Sequence, residues 1–275
     1  MKVRCFNRLP KAYLTYPAII KGIFKNKKVS AEQIVLPDVS YEVAPCLVQP
    51  KHLVTYNEIC GFKNDGYIPA IYFAMRAQIL HMYMMTKENF PIAVMELIHD
   101  KNQVIQYQRL NANVAYKITC QFGNAVQTEN GILIEFVSFI YEQDRIVAES
   151  KSTYLKPKHK DRFKYLNIKT QTIAQWRVTQ SLIRRYAFIS GDFNVVHLHD
   201  LGAKAFGLDQ AIAHGMWSQA SMMARLNLPA YYDFTVSFNS PLYIGQDVVL
   251  SLSNSDNYLF DRQTHQIYVS GHLKT

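Results

Sequence analysis

Between Tyr186 and Ala220 the chain gathers side chains suited to moving protons. The order is Ser190-Gly-Asp192-Phe-Asn194-Val-Val-His197, then Ala203, Phe206-Gly207 and Ile212-Ala-His214-Gly215-Met216. Asp192, Asn194 and His197 offer an acceptor, an amide and an imidazole, spaced so that one compact turn aims all three into a single pocket. Gly215 reads as the opening of a helix, where free backbone N–H groups and the positive end of the dipole stabilise an anion. A carboxylate, an imidazole and a preformed oxyanion site are the parts needed for proton transfer beside a carbonyl such as that of a thioester.

Each of these residues also has a plainer use. An Asp after a helix end is usually a turn residue, and a lone loop His is usually solvated or a core hydrogen-bonder. Their joint occurrence with Asn194, the Phe206-Gly207 break and the His214-Gly215-Met216 helix start favours the catalytic reading. Asn194 serves equally well to cap its own turn. His214 reads as packing or a cap, Tyr186 and Met216 as core, and Trp217 as core filling before tunnel lining. His197-Leu-His199-Asp200 fails the metallohydrolase spacing His-x-His-x-Asp-His, so Asp200 is assigned as the N-cap of Leu201–Phe206. The chain has no Gly-x-Ser-x-Gly elbow and no Gly-rich phosphate loop, which sets aside serine hydrolases and nucleotide enzymes.

Several elements must position this stretch. Thr179 is the predicted N-cap of a short helix that turns Leu182, Ile183, Tyr186 and Ile189 inward and ends at Ser190-Gly191, leaving Asp192 on a tight loop. A helical segment Met216–Leu226 follows, then strand-like runs Asp233–Phe238, Asp247–Ser253, Tyr258–Arg262 and Gln266–His272. The first half repeats the order, with a helix from about Pro69 to Met85 and a meander of Val114–Phe122, Ile132–Tyr141 and Arg145–Leu155 turning at Glu142-Gln143-Asp144. Helix then antiparallel sheet, twice, predicts an α+β class built as a duplicated unit: 1–155, a charged linker 156–165 punctuated by Pro157, and 166–275. A long helix wrapped by a curved antiparallel sheet is the hot-dog arrangement, so the expectation is a double hot-dog.

Composition narrows the setting. With 49% hydrophobic and 19% charged residues over 275, the chain is expected to fold throughout. A formal charge of +9 suits an anionic partner such as nucleic acid, a phosphate-bearing cofactor or an acidic carrier protein, singles out none of them, and reads most simply as solvated surface charge. The densest basic runs, Lys21–Lys28 and Lys156–Lys164, do not interleave aromatics as a nucleic-acid surface would, and no nucleic acid is expected. Cys5, Cys46, Cys60 and Cys120 show no CxxC spacing, which fits a reducing cytoplasm. The apolar run after Met1–Arg8 is short, contains Pro17 and lacks a cleavage pattern, so no signal peptide is read. Arg76 and His81 interrupt the longest apolar stretch, Ile68–Met85, and sit easily on one edge of a helix in water, so no membrane span is expected.

The motif Ser190-Gly-Asp-x-Asn-x-x-His197 with Ala203, Phe206-Gly207 and Ile212-x-His-Gly-Met216 resembles the signature of MaoC-like and hydratase 2 proteins. Phe238-x-x-Pro241 with Gly245-Gln-Asp247 is similar to the family's strand and turn after the central helix. The first half resembles the degenerate N-terminal hot-dog of two-domain members, and carries no Asp-x-Asn-x-x-His ahead of its helix. The resemblance implies that Asp192 and His197 are the catalytic pair holding one water, Asn194 the orienting amide and the Gly215 N–H the oxyanion donor. It implies a hydro-lyase of fatty acid metabolism. The reaction is hydration of trans-2-enoyl thioesters or dehydration of (R)-3-hydroxyacyl thioesters, on coenzyme A or acyl carrier protein, with no cofactor and no metal. A non-catalytic acyl-thioester binder and a hot-dog thioesterase stand as alternatives. Duplication supplies the pairing that single hot-dogs obtain by dimerising, so a monomer or a homodimer is expected. Val195 and Val196 follow Asn194 where many relatives have proline, which predicts a looser loop and a modest effect on rate.

Overall fold

A computed structural model of the chain describes residues 1–23, 34–158 and 163–275. The basic runs Lys21–Lys28 and Lys156–Lys164 and the linker 156–165 lie in part outside the described residues. The chain divides into two compact units, Met1–Val48 with Ile68–Lys160 and Gln49–Tyr67 with Asp161–Thr275.

The first unit is a six-stranded sheet with a long helix across it. Strand Lys2–Phe6 pairs in parallel with Val39–Cys46, and the order then runs antiparallel through Tyr116–Thr128, Gly131–Glu142, Arg145–Pro157 and Ile98–Gln106. Alternation along Gly131–Glu142 turns Ile134, Phe136, Ser138 and Ile140 inward and leaves the residues between them half-buried, the signature of a sheet covered on one face. The covering helix, Ala70–Lys87, has Pro69 at its N-cap and buries Ile71, Tyr72, Phe73, Leu80 and Met84 against four of these strands. His81, expected at the helix edge, is instead fully buried. Its Nδ1 lies 3.2 Å from the Tyr154 hydroxyl and its Nε2 3.3 Å from Ser138 Oγ, which satisfies a ring that could not otherwise be taken out of water.

The second unit is a five-stranded antiparallel sheet in the order Tyr232–Phe238, Ile267–Lys274, Asp256–Asp261, Asp247–Ser253, Gln171–Arg177. Its central helix, Gly215–Met223, is buried all round, with Met216, Trp217, Ala220, Met222 and Met223 at or below 2% exposure. This helix is shorter than Met216–Leu226 because Arg225 and Leu226 donate their amides three residues back, to Met222 and Met223, and so tighten the end. A second helix, Pro50–Cys60, belongs to this unit although it comes from the first quarter of the chain. It is tied down by Trp217 Nε1–H, which donates to Ile59 O at 3.2 Å, and by Tyr56, whose ring packs 6.4 Å from that of Tyr186. Among the described residues no helix is long and apolar enough to cross a membrane.

Candidate active site

The acidic loop is built as the spacing predicts. Thr179 caps the helix Gln180–Ser190 by accepting the Leu182 N–H at 3.3 Å, and Gly191 closes it in the left-handed conformation at φ 77°. Asp192 follows at once. Its amide donates to Ser190 Oγ at 3.2 Å, and its carboxylate accepts the Asn194 N–H at 3.2 Å, an Asx turn that fixes the carboxylate by a local bond. Asn194 then caps the one-turn helix Val195–Leu198, its side-chain oxygen accepting the Val196 N–H at 3.4 Å. The capping role of Asn194 is therefore directly visible, and it orients the turn that carries His197.

His197 is buried, at 9% exposure. Its Nδ1 lies 2.9 Å from Ile212 O, so Nδ1 carries the proton and donates, and Nε2 keeps its lone pair. Segment 211–213 that supplies this carbonyl is clamped from both sides. Ile212 N–H donates to Val196 O at 3.0 Å, Ala213 N–H to Leu242 O at 2.7 Å, and Ala211 N–H to the Asp200 carboxylate at 2.8 Å. Here Asp200 departs from its expected role. The helix Asp200–Lys204 is capped by His199, whose Nδ1 accepts the Leu201 N–H at 3.1 Å, and the Asp200 carboxylate reaches the Ala211 amide, which has no helical partner. Close approach also matters here: a β-carbon on Gly202 would sit 2.6 Å from Val195 O, so only glycine lets this short helix pack on the preceding turn.

The central helix begins at the same place. His214 is its N-cap and Gly215 its first residue, so the Gly215 N–H has no carbonyl within the helix. The His214 ring lies face to face with that of His197, with centroids 3.8 Å apart and planes 28° apart. Its Nε2 is 3.0 Å from Asp192 O, and burial followed by the nearby His197 drives its pKa down to about 3, so it is neutral and donates from Nε2. Tyr186 packs 5.1 Å from it, fully buried, with its hydroxyl pushed to higher pKa by burial.

Asp192, His197 and His214 each offer a ligand-type atom within 4.8 Å of the others, and such a trio could hold a divalent cation. The stacking opposes this. Rings stacked at 3.8 Å with planes 28° apart differ from the splayed ligands of a tetrahedral metal, which converge on one point about 2 Å away. The same arrangement suits a hydrogen-bonded water, which accepts less regular geometry.

The structure thus brings Asp192 and His197 together, sets Asn194 beneath them as a cap and starts the helix at Gly215 next to His214. Three contributors escaped sequence reasoning. Ile212 acts through its backbone carbonyl, which carries no signal in the sequence. Asp200 bonds an amide eleven residues on. His214, read only as packing or a cap, contacts both members of the pair; its place one residue before Gly215 was the available signal.

Helix over antiparallel sheet, in each of two units, is the double hot-dog fold, which comparison with solved structures bears out. The crystal structure of HtdX from Mycobacterium tuberculosis matches with a TM-score of 0.76 at 22% identity, covering 85% of this chain and 98% of HtdX. Another M. tuberculosis protein, described as having a double hotdog fold, matches with a TM-score of 0.53 at 7% identity, covering 89% of this chain and 97% of that one. Residues 164–273 match the MaoC like domain family. Residues 164–273 are therefore similar to a MaoC-like domain, carried on a double hot-dog fold. Among curated proteins, 3-hydroxyacyl-thioester dehydratase X of M. tuberculosis (strain ATCC 25618 / H37Rv) is 26% identical over 235 residues, 80% of this chain and 82% of that protein.

Proposed function

We propose that this chain is a hydro-lyase that reversibly hydrates trans-2-enoyl thioesters and dehydrates (R)-3-hydroxyacyl thioesters in fatty acid metabolism. The observation that carries the reading is the pairing of the Asp192 carboxylate with a His197 ring whose tautomer is fixed by Ile212 O, both beside the open N-terminus of Gly215–Met223. The similarity to a curated 3-hydroxyacyl-thioester dehydratase supports it.

In this scheme Asp192 and the Nε2 lone pair of His197 hold one water between them. Its oxygen bonds to C3 of the enoyl group and one of its protons ends on C2. Electron density moves onto the thioester oxygen, which rests on the Gly215 N–H until the C2–H bond forms. Elimination runs the same atoms backward. The catalytic pair lies in the second domain, 166–275, and the first, 1–155, is a degenerate hot-dog. The acyl group is carried on coenzyme A or acyl carrier protein, whose anionic charge suits the +9 balance. The protein works in the cytoplasm as a monomer or homodimer, and the reaction needs neither cofactor nor metal.

Incubation with crotonyl-CoA, following enoyl absorbance and product stereochemistry, tests the proposal. Loss of the enoyl band with formation of (R)-3-hydroxybutyryl-CoA is expected. Release of free thiol would assign a thioesterase, and binding without turnover an acyl-thioester binder.

A further inference from the structure

His214 touches both Asp192 and His197, directly precedes Gly215, and is used by none of the steps above. We propose that it is a positioning residue, which holds Asp192 and His197 in register with each other and with the Gly215 amide. The inference deepens the hydratase reading and rests on it.

Three contacts carry it, each to a different component. The Nε2–H of His214 donates to the carbonyl of Asp192 at 3.0 Å, across 22 residues of chain, and is a long-range tether on the loop that follows Gly191. Its ring covers that of His197 at 3.8 Å, which limits the tilt of the imidazole about its bond to Ile212 O. Its backbone precedes Gly215 directly, and its carbonyl accepts both the Ser218 N–H at 3.0 Å and Ser218 Oγ at 3.2 Å, so the ring is anchored to the first turn of the central helix. One rigid group thereby joins the acidic loop, the imidazole and the oxyanion donor.

The ring suits this task chemically. It is 2% exposed and packs against Tyr186, itself on the capped helix Gln180–Ser190, so its place is set from the side of that helix as well. Its neutrality matters too: a cation stacked 3.8 Å from His197 would oppose protonation of that ring during turnover. A side chain that fixes two reacting groups within a few tenths of an ångström affects the rate of the chemical step more than substrate affinity.

Two substitutions separate the tether from the stack. His214→Gln keeps an N–H at about the position of Nε2 and loses the ring, whereas His214→Phe keeps a flat ring against His197 and loses the donor. Both are assayed for crotonyl-CoA hydration beside wild type, with Tm measured on the same samples. Expected are Tm values within a few degrees of wild type, KM within about threefold, a kcat lowered about tenfold or more in His214→Phe, and partial recovery in His214→Gln. Should His214→Phe fail to fold, His214→Gln carries the test alone, with kcat lowered at least about threefold at unchanged KM. Folded variants with wild-type kcat, or a loss confined to Tm, would overturn the proposal and leave His214 a packing residue. A wild type silent on enoyl thioesters would instead overturn the hydratase reading, and the positioning role with it.

Discussion

The edge of the Phe238 ring stands 3.1 Å from where a β-carbon on Gly215 would lie, closer than side chains ordinarily pack. The first residue of the central helix is thereby held against strand Tyr232–Phe238 with no room for a methyl group. Gly215→Ala must push the ring or the helix start aside by a few tenths of an ångström. Alanine favours a helix over glycine by up to about 1 kcal/mol, which offsets part of the strain, so stability should change little. The Gly215 amide, proposed to receive the thioester oxygen, moves, however. The expected result is a kcat reduced about tenfold or more with Tm within a few degrees of wild type, read from hydration rates and thermal unfolding.

Val195 opens the turn that carries His197, where the amide has no helical partner and proline fits. Asn194, the residue before it, already holds φ −57° and ψ 129°, the extended region that a following proline requires. Val195→Pro should therefore be accepted without strain and stabilise the fold by about 0.4–1 kcal/mol through the unfolded chain. Urea midpoints check the stability, and kcat equal to or above wild type is expected. A lower midpoint would mean that this turn is not shaped as described.

Two buried histidines make stability depend on pH. Burial lowers both His81 and His214 from the usual 6.5 to about 3. Below about pH 6.5 the unfolded chain takes up a proton on each that the folded chain refuses until about pH 3, so stability is lost as pH falls through that window. Each contributes up to about 1.4 kcal/mol per pH unit, or about 2 kcal/mol between pH 6.5 and pH 5. His81 lies in the first unit and His214 in the second, so each unit is weakened. Denaturant midpoints measured at pH 7 and pH 5 should fall on acidification, and equal midpoints would contradict the burial of these rings.

What was legible in the sequence was local. Thr179, Gly191 and the Asp192 to His197 spacing act within a few residues of one another, and the structure keeps each contact. The meander Gly131–Glu142 to Arg145–Pro157 announces itself by its β-branched and aromatic residues, which fill many of the buried positions of both strands. Strand Gln171–Arg177 escaped, being mostly exposed and without an inward row to read. Tyr116–Thr128 runs past Phe122 because a register shift between Phe122 and Ala125 restarts pairing along an exposed tail. The helix Pro50–Cys60 joins the second unit through partners such as Tyr186 and Trp217, over a hundred residues away, and no local pattern encodes that. Asp200 was misassigned for a related reason: its amide partner is at Ala211, and the adjacent His199 does the capping.

The most direct test of the central claim is the turnover of crotonyl-CoA by Asp192→Asn and His197→Gln beside wild type. Both substitutions keep size and some hydrogen bonding while removing the carboxylate and the imidazole. The account predicts an active wild type, a native Tm in both variants and a kcat lowered by about 100-fold or more in each, as for loss of a general acid or base. An active wild type whose kcat survives either substitution would contradict the assignment of Asp192 and His197 as the catalytic pair.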